Sequence, residues 1–91
     1  EGRRLYEVPF SLQRAPALGP PDAVPVVLRG TIDCLLIRTD GSVVVIEFKT
    51  GAPRASHRPQ LAVYEEAARA LFPGARVEGR LIYGAPLSQP A

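Results

Sequence analysis

The feature that most constrains this chain is the tripeptide Thr39-Asp40-Gly41, set between two apolar, β-rich runs at 26–38 and 42–49. Asp followed by Gly between such runs is a hairpin signal, because Gly adopts the left-handed backbone that closes the turn. A three-residue loop with Gly41 closing a bulge pairs Arg38 with Ser42, so that partners have numbers summing to eighty. Asp33 then faces Glu47. A two-residue Asp40-Gly41 loop pairs Thr39 with Ser42 instead and turns the two carboxylates to opposite faces. Alternation puts Ile32, Leu36, Val44, Ile46 and Phe48 on one face and Leu35, Ile37, Val43 and Val45 on the other. Apolar residues on both faces predict a sheet covered on both sides.

The flanking elements follow from periodicity and breakers. Leu5-Tyr6-Glu7-Val8-Pro9-Phe10 suits a short strand over about 4–10, with Pro9 arguing for an edge or a bulge. Pro16, Gly19, Pro20, Pro21 and Pro25 predict an irregular loop over 11–25. After a turn at 51–56, a helix is expected over about 57–72, with Ser56 as N-cap, Pro59 in the first turn and Pro73-Gly74 as the stop. Leu61, Tyr64, Ala67, Ala68, Leu71 and Phe72 recur at helical spacing, with Arg58, Glu65, Glu66 and Arg69 largely outside. A last strand over about 76–84 returns parallel to 42–49 through the helical crossover. The expected fold class is α/β, a mixed four-stranded sheet in βββαβ order.

Ninety-one residues make one small domain, read here as spanning 1–91. With 46% hydrophobic and 22% charged residues the chain is too apolar for a disordered tail. No stretch approaches the ~18 apolar residues of a membrane span, so no membrane partner is expected. A single cysteine, Cys34, cannot form an internal disulfide or hold a zinc or iron–sulfur cluster alone; it reads as a small core residue in a reducing, cytoplasmic setting. A net charge of +2 permits nucleic acid as a partner without requiring it. Ten of the eleven basic residues are arginine, and the one lysine is Lys49.

That lysine lies two residues beyond Glu47, on the same strand face. On the eighty register two carboxylates stand side by side among apolar side chains, which is destabilising. Either one keeps its proton, or a hard divalent cation such as Mg²⁺ bridges them. The amine of Lys49 then pairs with phosphate, orients water or takes part in proton transfer. Two carboxylates, a metal and a lysine suit phosphodiester hydrolysis. The bland alternative keeps Asp33 and Glu47 apart and solvated, with Lys49 in an ordinary ion pair.

Gly30-Thr31-Ile32-Asp33, Val45-Ile46-Glu47-Phe48-Lys49-Thr50-Gly51 and Gln60-Leu61-Ala62-Val63-Tyr64 together resemble successive motifs of the PD-(D/E)XK nuclease superfamily. They look most like the RecB/AddA-type nuclease domain of UvrD/Rep-like helicase–nucleases. The resemblance implies a restriction-endonuclease-like core and a Mg²⁺-dependent deoxyribonuclease, with Mn²⁺ as a substitute and exonuclease action favoured. It further implies catalysis by Asp33, Glu47 and Lys49, metal binding by Asp33, Glu47 and the Phe48 carbonyl, and DNA contact or site shaping by Thr50, Gln60 and Tyr64. Gln60 and Tyr64, at i and i+4, share a helix face independently of the resemblance; for Tyr64 a plain core role competes, and for Gln60 an inward amide needs partners. The implied partners are DNA, helicase domains of the same parent chain and a second helicase–nuclease subunit, in DNA recombination and repair. The family's first helix, which often supplies a histidine, is not in this sequence and no iron–sulfur cluster is expected, so the isolated chain reads as a core fragment whose own activity is in question. His57 cannot be carried onto that position and reads as a helix-start or backbone-contacting residue. Glu7, in Glu-Val-Pro-Phe, resembles an early strand whose glutamate approaches the site; a surface ion pair is the alternative. A nuclease-like scaffold that binds without cutting is the competing function.

Overall fold

A computed structural model describes residues 2–14 and 24–84. Its elements are β1 (Arg3–Arg14), β2 (Val26–Ile37), β3 (Val43–Thr50), α1 (His57–Leu71) and β4 (Val77–Gly84). They form one mixed sheet in the order β1-β2-β3-β4, with β4 parallel to β3 and the other neighbours antiparallel. This is the expected α/β architecture in βββαβ order.

The turn chemistry of Asp40 and Gly41 sets the β2–β3 register. Gly41 has φ +87°, and its N–H donates to the Arg38 carbonyl at 2.9 Å while the Arg38 N–H donates to the Ser42 carbonyl at 2.9 Å. The Asp40 carboxylate accepts from the Ser42 N–H at 2.9 Å and hydroxyl at 2.7 Å, and these bonds hold its pKa below the usual value. This is the three-residue loop, and the ladder runs from Ile37–Val43 to Cys34–Ile46, every pair summing to eighty.

Across the whole sheet the row Leu5–Leu35–Val45–Gly79 faces α1, and the next row, Tyr6–Cys34–Ile46–Arg80, faces away. The core under the helix joins Phe10, Ile32, Leu35, Val43, Val45, Leu61, Ala67 and Ala68. Cys34 is buried and free, and burial pushes its thiol pKa up, as suits an inert core residue.

Several sequence expectations need correction. β1 continues to Arg14, so Ser11–Arg14 pair with Val26–Arg29 where a loop was expected; the breakers begin only at Pro16, and Leu12 continues the alternation of Val8 and Phe10. Most of the expected loop, 15–23, lies outside the described residues. Ile32 packs with Leu35 in the core under the helix rather than on the opposite face. The opposite face is not fully covered among the described residues: Tyr6, Phe48 and Ile82 are exposed there, although Val44 is buried. Ser56 occupies the N-cap position, but its side chain makes no capping bond. The helix begins instead on main-chain bonds, His57 N–H to the Arg54 carbonyl at 3.1 Å and Gln60 N–H to the Ser56 carbonyl at 3.3 Å. Leu71 is exposed, and Glu65 leans inward, its carboxylate occupying the space where Gly79 has no side chain.

The displacement of Ile32 has a local cause. Glu7 has φ +52°, and among the described residues it is the one non-glycine with positive φ. It interrupts the β1–β2 ladder between Tyr6–Cys34 and Val8–Ile32, opposite Asp33. Leu5 faces the helix before the interruption, and Val8, Phe10 and Leu12 face it afterwards; on β2 the inward set changes from Leu28, Gly30 and Ile32 to Leu35 and Ile37. The left-handed conformation costs a residue with a Cβ roughly 1–2 kcal/mol. Glu7→Gly should therefore raise the unfolding free energy by about 1 kcal/mol in a denaturant titration, net of glycine's entropy. A loss of stability would show that the glutamate side chain holds the interruption in place.

Candidate active site

The site begins where the β2–β3 ladder ends. Beyond Cys34–Ile46 the next two residues are Asp33 and Glu47, and their carboxylates take up main-chain donors. The Asp33 N–H donates to Glu47 Oε2 at 3.3 Å, and the Phe48 N–H donates to Asp33 Oδ2 at 2.9 Å. Each strand thus receives a side-chain acceptor from the other, and the two carboxyl groups are held together at the sheet.

Glu47 is only 3% exposed. Burial, chiefly, pushes its pKa from an ordinary 4.5 up to about 7; the Asp33 main-chain bond opposes the rise, the Asp33 charge adds to it, Lys49 opposes it, and a side-chain hydrogen bond with Asp33 again favours the proton. A buried carboxyl beside a second carboxylate is thus short of positive charge.

Lys49 and Glu47 alternate onto the helix side of β3. Lys49 Nζ donates to Gln60 Oε1 at 2.6 Å, and Gln60 Nε2 donates to the Tyr64 hydroxyl at 3.3 Å. The Tyr64 ring meets Phe10 edge-on, with centroids 5.3 Å apart and planes at 75°. Burial raises the Tyr64 pKa, helped by the Glu47 charge and opposed by the Gln60 bond. At the mouth, His57 Nδ1 accepts the Arg54 N–H at 3.3 Å and lies 3.0 Å from the Tyr83 hydroxyl. Thr50 is exposed at the end of β3, opposite Gly84. A polar row on α1, His57, Gln60 and Tyr64, therefore confronts a polar row on the sheet, Glu47, Lys49 and Tyr83.

The model of the PD-(D/E)XK nuclease superfamily matches residues 2–88. The chain belongs to this superfamily. A search of the curated proteins found no match. Nucleases of the superfamily typically use divalent metals. The donor chemistry here fits such an ion: two adjacent carboxylates supply hard oxygen ligands, and the Glu47 carboxyl is buried without enough positive charge to offset it. Among the described residues no group of three or more His, Cys, Asp or Glu gathers.

The three segments that resemble superfamily motifs thus meet at one end of the sheet. Gln60 is exposed rather than turned inward, yet both ends of its amide are bonded, and Tyr64 is at once a packing residue and a polar one. His57 makes the expected backbone contact. Three participants were not legible. Phe10 reaches Tyr64 only because Glu7 resets the strand phase, and Tyr83 lies beside Lys49 only through the β3–β4 register, which a helical crossover does not encode. Gly30 clears space: a Cβ there would stand 2.9 Å from the Phe10 ring and 3.3 Å from Tyr64. The glycine of the first motif was the available signal for this close approach.

Two measurements follow from this geometry. Gly30→Ala should cost about 1–3 kcal/mol of stability by forcing the Phe10–Tyr64 edge apart, read from denaturant midpoints; an unchanged midpoint would mean that the rings move freely. For Glu47 the folded pKa lies above the unfolded one, so the native state binds more protons between about pH 4.5 and 7. Stability in metal-free buffer should fall as pH rises through that window, by on the order of 3 kcal/mol, and then level off. Glu47→Gln should remove the fall and be the more stable protein at pH 8. A wild-type profile already flat between pH 4.5 and 7 would contradict the assignment.

Proposed function

We propose that the chain is the Mg²⁺-dependent nuclease module of a RecB/AddA-type helicase–nuclease, hydrolysing DNA phosphodiester bonds as strand ends are processed in recombination and repair. The observation that carries this reading is the pair of crossed bonds in which the Glu47 carboxylate accepts the Asp33 N–H and the Asp33 carboxylate accepts the Phe48 N–H, with Lys49 two residues beyond Glu47 on the same strand. Asp33, Glu47 and the Phe48 carbonyl would hold Mg²⁺, or Mn²⁺ in its place. When bound, the ion stabilises charge on the phosphate oxygens and lowers the pKa of water.

The chain's own residues do the rest. Gln60 fixes the Lys49 ammonium, and Tyr64 fixes Gln60, so a point charge is delivered beside the carboxylate pair without a search through lysine rotamers. Lys49 faces the phosphate and favours the charge that grows there as water oxygen attacks phosphorus and the P–O bond to the leaving strand breaks. The proton lost by the water passes to solvent or to the departing oxygen. Thr50, at the exposed end of β3, contacts the DNA backbone beside the cut. Nothing in α1 or the sheet offers a helix to a groove, so sequence preference is weak and the substrate is delivered by helicase domains of the same chain or a partner subunit. Exonuclease action suits a site fed from an end.

Calorimetric Mn²⁺ titration and cleavage of a labelled oligonucleotide test the proposal together. Asp33→Asn and Glu47→Gln should abolish saturable Mn²⁺ binding, and each should slow cleavage by about 100-fold or more, while Lys49→Ala should slow cleavage as much but still bind the ion. Wild-type protein that takes up Mn²⁺ but cuts no DNA would favour the scaffold reading. Cleavage that survives both carboxylate substitutions would remove the proposed centre.

A further inference from the structure

The nuclease reading leaves the pair at the mouth of the site, His57 and Tyr83, without a role. Tyr83 is the β4 partner of Lys49 in the parallel register, so the two lie on neighbouring strands about 4.8 Å apart. Parity puts both on the helix side of the sheet, one step farther out than Glu47 and Leu81. Tyr83 does not join the core, and it is 37% exposed. Its hydroxyl is nonetheless anchored. His57 Nδ1 accepts the Arg54 main-chain N–H at 3.3 Å and lies 3.0 Å from the Tyr83 hydroxyl. The two rings have centroids 5.6 Å apart and planes inclined at 34°. An aromatic ring is thus tied by its polar end at the edge of the site while more than a third of the residue stays open to solvent. Arg54 and Arg58, both exposed, flank the same helix start.

We propose that Tyr83, oriented by His57, is a stacking platform for an unpaired base next to the scissile phosphate. The inference rests on the nuclease reading and deepens it. A base can lie on the Tyr83 ring only if it has left its own stack, which a single strand permits at little cost and a duplex does not. Stacking accepts every base, in keeping with a site that lacks groove-reading elements. Arg54 and Arg58 pair with the phosphates on either side. Tyr83 acts on binding, and Lys49 beside it acts on the reacting phosphate. A pure tie between the 51–56 turn and β4 would need the hydroxyl but not the exposed ring.

Binding is measured on the whole chain in EDTA, where metal-dependent cutting is off, with short labelled single strands and blunt duplexes. Tyr83→Leu should weaken single-strand binding by about 5- to 30-fold and leave duplex binding unchanged, while Tyr83→Phe, which keeps the ring but loses its tie to His57, should lose only part of that affinity. A 2-aminopurine placed in the single strand should be quenched by the wild type and recover its emission with Tyr83→Leu. Wild-type affinity in Tyr83→Leu, or an equal loss on single strand and duplex, would overturn the platform and leave the nuclease reading intact. Should Tyr83→Leu fail to fold, absence of 2-aminopurine quenching by the wild type overturns it as well. Wild-type protein that binds neither form of DNA would bring down the nuclease reading and the platform together.

Discussion

The reciprocal bonding of Asp33 and β3 is the constraint on which the rest depends. An antiparallel ladder normally satisfies its main-chain donors with main-chain acceptors. Here, one step past Cys34–Ile46, the donors of Asp33 and Phe48 are taken by the Glu47 and Asp33 carboxylates. Because a donor inside a sheet is costly to leave unmet, both carboxyl groups are pinned by the strands that carry them. Their proximity is therefore a product of the backbone, and it holds although the pair repels and burial disfavours charge on Glu47. The fold maintains a concentration of negative potential that a cation relieves.

Glu7 performs the matching task on the other side of β2. A strand that ran regularly past Asp33 would send Val8, Phe10 and Leu12 to the face opposite Leu5. The left-handed residue shifts the phase of β1 just where β2 shifts its own, so both ends of each strand keep apolar side chains under α1. Phe10 consequently reaches Tyr64, Tyr64 accepts from Gln60, and Gln60 holds Lys49. A backbone irregularity on an edge strand is thereby linked, through the side chains of Phe10, Tyr64 and Gln60, to the position of the Lys49 ammonium group.

What could be read in the sequence was what local chemistry encodes. Asp40 and Gly41 determine the loop type, the loop type determines the register, and the register makes Asp33 the neighbour of Glu47. The helix and its stop at Pro73-Gly74 follow equally from short-range signals. Illegible features depend on non-local geometry or on a broken rule. The extension of β1 through Ser11–Arg14 was hidden by the breakers that follow it, and the placement of Ile32 by an alternation that stops at Glu7. Tyr83 had no local mark at all, since the parallel register beside Lys49 is set by how α1 packs across the sheet.

The one lysine among eleven basic residues also gains a physical reason. Its neighbours are buried Glu47 on the same strand, Gln60 at 2.6 Å and Tyr83 on the adjoining strand. A compact ammonium donates to one amide oxygen and keeps two protons for other acceptors, so it can hold Gln60 and still turn to a phosphate. A guanidinium presents a broad planar fork that matches a carboxylate bidentately, and Asp33 and Glu47 are the carboxylates within its reach. Arginine here would tend to neutralise the carboxylate pair, whereas lysine bonded to Gln60 leaves it open. In this reading Gln60 has a second task beside positioning: it keeps the Lys49 ammonium from collapsing onto the acids.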